Sequence, residues 1–255
     1  MSPGMPGPEP WWRSYFDDVF FRLHRDLFPE EESRQEISAI RELLALPADA
    51  AILDVPCGWG RHTLLLEEAG HLAVGTDLSL PLLERAAAAA RNARRAVRFA
   101  ASDMRELPFR NASFDAVMNV FTSLGLFLTD AQDLRALREA ARVLRPGGAF
   151  LLESMHRDDV IADYAERDAW TLPDGTQVRV HRRFDPVSGI SYEKLRWKSG
   201  DEYGEKQHQL RLRSATEIHR LVRLAGFAQV EYFGDWDGSR LKRTSPRIIA
   251  VARKA

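Results

Sequence analysis

Asp54, Asp77, Asp103, Asn119 and Glu153 each close a short apolar run, and the first run, Ile52-Leu53-Asp54-Val55, leads into the turn Pro56-Cys57-Gly58-Trp59-Gly60. Carboxylates and amides gathered at strand ends hydrogen-bond a polar ligand, and glycines at 58 and 60 let the backbone approach it closely. A helix opening at the end of the turn aims unpaired N–H groups at whatever lies there. Together these features make a cradle for a nucleotide-like cofactor. A dinucleotide fingerprint would carry a third small residue three positions after Gly60, where this chain has Thr63. Asp77, 17 residues after Gly60, sits where a carboxylate accepts both hydrogen bonds of a ribose diol.

Positioning such residues takes a regular frame. Strand patterns at 51–55, 71–76, 96–100, 114–120 and 149–154 alternate with helical patterns at 60–69, 80–93 and 130–144. That alternation predicts an α/β fold with a parallel sheet, whose right-handed crossovers put the ligand crevice at the carboxyl ends of the strands. Helical spacing from Trp11 to about Phe28, and again to Leu44, predicts an N-terminal helical lid over 11–47. The frame at 48–165 is interrupted at 166–213 by β-type segments between turn signals such as Asp174-Gly175 and Ser199-Gly200, read as an inserted antiparallel β-subdomain. In one of these strands the apolar parity moves from Ile190 and Tyr192 to Leu195 and Trp197, which predicts a bulge or strong twist near Lys194. Ser214-Ala215-Thr216-Glu217 is a capping box that reopens the frame at 214–255, and 227–233 with 246–253 read as an antiparallel pair at its edge.

Composition narrows the function classes. The formal net charge of −1 over 255 residues supplies no basic field for nucleic acid or an anionic membrane, so neither is expected as a partner. Cys57 is the only cysteine, which excludes an intramolecular disulfide. No histidine spacing suits a metal set, and no metal is expected. The start lacks both a basic and an apolar targeting region, so a cytoplasmic location is expected. Four prolines and two glycines in residues 1–10 predict a disordered tail. The oligomeric state is left open by the sequence.

Asp54-Val55-Pro56-Cys57-Gly58-Trp59-Gly60 resembles the first motif of the class I S-adenosylmethionine-dependent methyltransferases, and the longer run through Arg61-His62 looks like a bacterial small-molecule branch with Pro-Cys-Gly-x-Gly-Arg-His. Later stations keep the order of that family: Gly75-Thr76-Asp77-Leu78-Ser79, Ala101-Ser102-Asp103-Met104, Phe114 to Gly125, Leu144-Arg145-Pro146-Gly147-Gly148 and Ala225-Gly226-Phe227. The resemblance covers about 45–155 strongly and about 214–253 well. It implies a Rossmann-like seven-stranded sheet with its last strand antiparallel, and S-adenosyl-L-methionine as cofactor. It further implies methyl transfer to an oxygen or nitrogen of a small molecule. A nicotinamide-dependent oxidoreductase and a non-catalytic adenosylmethionine-binding module stand as the rival readings.

The same resemblance distributes the roles. Asp77 and Leu78 would meet the ribose, Ser102, Asp103 and Met104 the adenine, and Asn119 and Val120 the ammonium end through backbone carbonyl oxygen. Asp54 would hold the glycine turn through its backbone N–H groups, with Pro56, Cys57, Gly58 and Gly60 along the cofactor's amino-acid end; Pro56, lacking an N–H, has only its carbonyl or ring to offer. His62, in the first helical turn, reads as an orienting residue tied to the N-terminal segment. Where the nucleophile is protonated, methyl transfer needs a base, and His156 lies just beyond the fifth strand with an ordinary pKa near neutrality, followed by Arg157 as a ligand for substrate. Tyr15 in the lid, Phe121 after the fourth strand, and Asp235 and Asp237 before the last strand complete the expected acceptor pocket.

Overall fold

The computed structural model describes residues 10–255, so the expected tail at 1–10 falls, Pro10 apart, outside the described residues. The N-terminal helical run is divided into α1 (Trp12–Tyr15), α2 (Asp18–His24) and α3 (Glu30–Leu44). Asp17 is extended, and its carboxylate accepts from Phe20 N at 2.8 Å, which caps α2. Pro29 has no N–H to continue a helix, and the three glutamates after it suit the positive end of α3.

The frame then runs β1 (Ala51–Asp54), α4 (Arg61–Glu68), β2 (Leu72–Asp77), α5 (Leu80–Asn92), β3 (Arg98–Ala101), β4 (Phe114–Asn119), α6 (Asp130–Val143) and β5 (Leu144–Met155). After α7 (Arg157–Val160) come β6 (Arg167–Thr171), β7 (Gln177–Asp185), β8 (Ile190–Ser199) and β9 (Glu202–Arg211). The chain returns through α8 (Ala215–Leu224), β10 (Phe227–Phe233) and β11 (Arg247–Lys254). Ser214 and Glu217 make the reciprocal capping box at the start of α8.

Seven strands form one sheet in the order β10-β11-β5-β4-β1-β2-β3, parallel throughout except for the two pairings of β11. This is the Rossmann-like α/β sheet with an antiparallel last strand. Its strand order reverses between β1 and β4, where crossovers leave in opposite directions and open a crevice. Successive residues of each strand face opposite layers: Leu53, Val117, Phe150 and Leu152 pack under α6 and α8, while Ile52, Ala116, Met118 and Leu151 pack under α3 and α4. Such two-sided burial explains why these strands read as nearly continuous apolar runs.

A separate four-stranded antiparallel sheet, β6-β7-β8-β9, packs against α2 through Leu23, Leu172, Val178, Val180 and Leu195. Of the bulge or strong twist expected near Lys194, the bulge is absent: pairing of β7 with β8 runs in unbroken register from Gln177 opposite Lys198 to Asp185 opposite Ile190. The parity change has a different cause. Leu195 belongs to the apolar cluster with Trp197 packed against it, whereas Ser191 and Glu193, at the same parity, line a cavity. The inner face of β8 therefore passes from core to cavity without any break in backbone geometry.

The second sheet is held to the frame by a buried ion pair. Arg213, 1% exposed, donates to Asp133 on α6, and its other arm reaches Asp130 at 3.0 Å. Arg211 N also donates to Gly125 O at 3.1 Å, and at Gly125 a Cβ would stand 2.3 Å from Arg211 O. No described helix is long and apolar enough to cross a membrane.

Candidate active site

One cavity of about 950 Å3 lies at the carboxyl ends of β1, β2 and β4, roofed by α1 and α2 and walled on the far side by β7, β8 and β9. Most of the residues singled out in the sequence meet there: Tyr15, Asp54, Pro56, Cys57, Gly58, Asp77, Leu78, Ser102, Asp103, Met104, Val120 and Phe121. His156, Arg157, Asn119, Gly60, Asp235 and Asp237 are not on its wall.

The two glycines of the turn divide the work expected of both. Gly58, at φ +54°, has nothing within 4 Å of where a Cβ would stand, so its backbone is open toward the cavity. At Gly60, φ +79°, a Cβ would lie 2.9 Å from the Ala86 Cβ and 3.0 Å from Phe99, so this glycine admits α5 and β3 rather than a ligand. The Val55–Pro56 peptide is cis.

Asp77 rather than Asp54 holds the turn. Gly58 N donates to Asp77 Oδ2 at 2.8 Å and Ser79 N to Asp77 Oδ1 at 2.8 Å, leaving each carboxylate oxygen a further lone pair on the cavity wall. Asp54 instead accepts the Thr63 hydroxyl at 2.6 Å and fixes the first turn of α4. Burial pushes its carboxyl up to about 7, with the charge of Asp77 adding to the effect and the Thr63 bonds opposing it. Burial also holds the Cys57 thiol well above its ordinary range.

Asp103 is engaged by its neighbour, since Arg105 donates to it from its backbone and its guanidinium. Burial would raise the Asp103 carboxyl, but the Arg105 bonds outweigh it and the net direction is downward. Arg105 in turn lies 4.2 Å from the Phe127 ring centre. Asn119 turns its amide back into the frame, where Nδ2 donates to Val55 O at 2.7 Å across the β1–β4 junction. Val120 remains on the wall, its carbonyl accepting Ser123 Oγ at 3.1 Å. Phe121 N donates to Glu153 Oε2 at 2.6 Å, and burial raises the Glu153 carboxyl.

His156, expected as a base, lies off the cavity wall in a buried setting of its own. It is 3% exposed, with Nδ1 3.0 Å from the Ser245 carbonyl oxygen and Nε2 4.0 Å from Asp158, so it ties the start of α7 to the segment before β11. Arg157 donates at 2.7 Å to Glu217, the carboxylate that closes the capping box of α8. Asp235 pairs with Arg247 at 2.8 Å, and Asp237 accepts Ser239 N within its own turn. The residue between them, Trp236, does line the cavity. His62 sits 2.7 Å from Glu36 of α3. Burial would raise Glu36, yet His62 and Arg61 hold it down at about 2.

Sequence reading passed over Arg182, Glu193 and His208, which form the far wall together with Ser191 and Tyr164. The one signal for them is the pair of polar residues, Ser191 and Glu193, at inward positions of an otherwise apolar strand face. The cofactor side fits a nucleoside ligand: Asp54 Oδ1 and Ser102 Oγ are buried without a hydrogen-bond partner, and Gly58 opens onto free space. Among the described residues no cluster of histidine, cysteine and carboxylate suits a metal ion.

Residues 52–148, which contain the turn and all three aspartates, match the family described as Methyltransferase domain. The putative methyltransferase YqeM of Bacillus subtilis (strain 168) is 26% identical over 216 residues, 83% of this chain and 87% of that protein. Two further relatives are matched over only 52% and 57% of their length. Among solved structures, the CcbJ methyltransferase from Streptomyces caelestis aligns with a TM-score of 0.81 at 20% identity over 95% of this chain and 98% of that one. Adenosylmethionine-bound CalS10, an amino pentose methyltransferase from Micromonospora echinaspora, aligns with a TM-score of 0.69 at 23% identity over 93% and 97%. At these identities the structural likenesses speak for the fold.

Proposed function

We infer that this chain, whose residues 52–148 match a methyltransferase domain, is a class I S-adenosylmethionine-dependent methyltransferase that methylates an oxygen or nitrogen of a small molecule. The observation that carries this reading is Asp77: its carboxylate fixes the Gly58 amide while facing the cavity, so the ribose acceptor and the glycine turn are locked as one unit. S-Adenosylmethionine, when bound, supplies a methyl group made electrophilic by its sulfonium.

The chain's own residues bind and orient. Asp77 and Leu78 take the ribose, Ser102, Asp103 and Met104 the adenine, and the backbone at Pro56, Cys57, Gly58 and Val120 the amino-acid end. Asp54 acts through Thr63, by keeping α4 in place behind the turn. Residues 11–47 and 166–213 serve as roof and wall of the acceptor space, with Tyr15 and Phe121 touching the acceptor. The apolar roof of Trp11, Tyr15, Phe16 and Phe20 excludes water, which strengthens every polar contact inside. A cavity of about 950 Å3, within the range of small-molecule pockets, and a formal net charge of −1 favour a small acceptor, and the amino pentose substrate named for CalS10 is a case of one on the same fold.

Calorimetric titration tests the reading. S-Adenosylhomocysteine is expected to bind the purified chain in the micromolar range while NADH does not bind, and the reverse result would overturn it.

A further inference from the structure

The far end of the cavity contains an acid–base pair built across two strands. Glu193 on β8 and His208 on β9 are register partners, so their side chains leave the same face side by side. His208 Nδ1 lies 3.4 Å from Glu193 Oε1 and has no hydrogen-bond partner of good geometry. Glu193 Oε2 accepts Arg182 Nε at 2.6 Å, and Arg182 also stands 3.6 Å from Asp168, so one guanidinium is shared between two carboxylates.

The groups around His208 come from every neighbouring element. Tyr15 of α1 and Trp11 before it have ring centroids 5.1 and 5.8 Å from the imidazole, and His24 of α2 and Arg182 of β7 add their fields. Lys206, two residues away on β9, is occupied by Asp17 and by the Tyr15 carbonyl, each at 2.8 Å. Burial lowers the proton affinity of His208, against the pull of Glu193.

Charge balance in the cavity points the same way. Arg61, Arg182 and Arg247 on the wall are paired with Glu36, Glu193 and Asp235, whereas Asp159 and Asp163, also on the wall, have no ion pair among the described residues. An anionic acceptor would meet an excess of carboxylates with no free cation, and a cationic one would meet attraction.

We propose that this end of the cavity receives an amine, held by Glu193, and that His208 takes the proton the amine must lose. The proposal rests on the methyl-transfer reading above and narrows it to nitrogen. An ammonium has no lone pair; on giving one proton to His208 it gains one. That pair forms the new nitrogen–carbon bond, the carbon–sulfur pair leaves with sulfur, and an N-methylammonium results. The imidazolium, steadied by Glu193, returns its proton to solvent. An aliphatic hydroxyl, whose pKa lies far above that of an ammonium, would be poorly served by an imidazole base.

The test uses the whole chain and analogues of S-adenosylhomocysteine in which nitrogen replaces sulfur and carries an aminoethyl or a hydroxyethyl arm. The amino arm is expected to bind about tenfold tighter at neutral pH, the size of one charged hydrogen bond. Glu193→Gln should abolish that preference while S-adenosylhomocysteine still binds as in the wild type, which shows the fold intact. The wild-type preference should fall as acidification charges His208, and His208→Gln should remove this fall. Equal binding of the two arms, a preference that survives Glu193→Gln, or an unchanged pH dependence in His208→Gln would each overturn the proposal. Failure of S-adenosylhomocysteine itself to bind the wild type would strike the methyl-transfer reading instead.

Discussion

Gly58 and Asp77, 19 residues apart in the chain, are joined by one hydrogen bond of 2.8 Å from the glycine amide to the carboxylate Oδ2. That bond makes the glycine turn depend on the residue proposed to take the ribose. Asp77→Asn should weaken S-adenosylhomocysteine binding by about tenfold to a hundredfold, the loss of one or two charge-assisted hydrogen bonds. Calorimetry checks the affinity, and circular dichroism checks that the fold survives.

Gly58 and Gly60 should separate cleanly on substitution. Gly58→Ala meets open space and costs stability only through its positive φ, about 1 kcal/mol, but it intrudes on the ligand side and should weaken cofactor binding. Gly60→Ala drives a methyl group into Ala86 and Phe99 and should cost about 2–4 kcal/mol from overpacking and backbone strain together. Urea denaturation of both variants measures the contrast, and equal losses would mean that the two positions are not divided as described.

Asp54 gives a pH dependence of defined sign. Its folded pKa is raised from 3.8 to about 7, so the folded chain binds a proton that the unfolded chain releases between those values. The stability this group contributes is present below about pH 4 and is lost as pH rises toward about 7. Asn at this position keeps an acceptor for Thr63 and cannot titrate. The unfolding free energy of the wild type minus that of Asp54→Asn should therefore fall across this window, measured on the cofactor-free chain in urea.

His156→Asn should lower the melting temperature and leave S-adenosylhomocysteine affinity within about twofold of wild type, since the ring lies against the Ser245 carbonyl and does not line the cavity. A large loss of cofactor binding with an unchanged melting temperature would return the residue to the site.

Legibility in the sequence followed the range of the interactions involved. The frame was readable because two-sided burial leaves continuous apolar runs at β1, β4 and β5, and because caps such as Ser214 with Glu217 are local. The break between α1 and α2 was not, since Asp17 can cap a helix only where the chain has already turned extended. Asn119 and His156 were placed correctly along the chain, yet their side chains point to partners 64 and 89 residues away.

The sequence by itself determined the parallel frame, the glycine turn and the order of its acidic stations, because each depends on residues that are neighbours in the chain or on the period of one element. Only the tertiary structure decided which of those residues face the cavity, and what stands opposite them. A polar residue on a strand face has the same sequence pattern whether it meets solvent or a ligand. Ser191, Glu193 and His208 became a wall only when α1 and α2 folded across β8 and β9, a contact between segments more than a hundred residues apart.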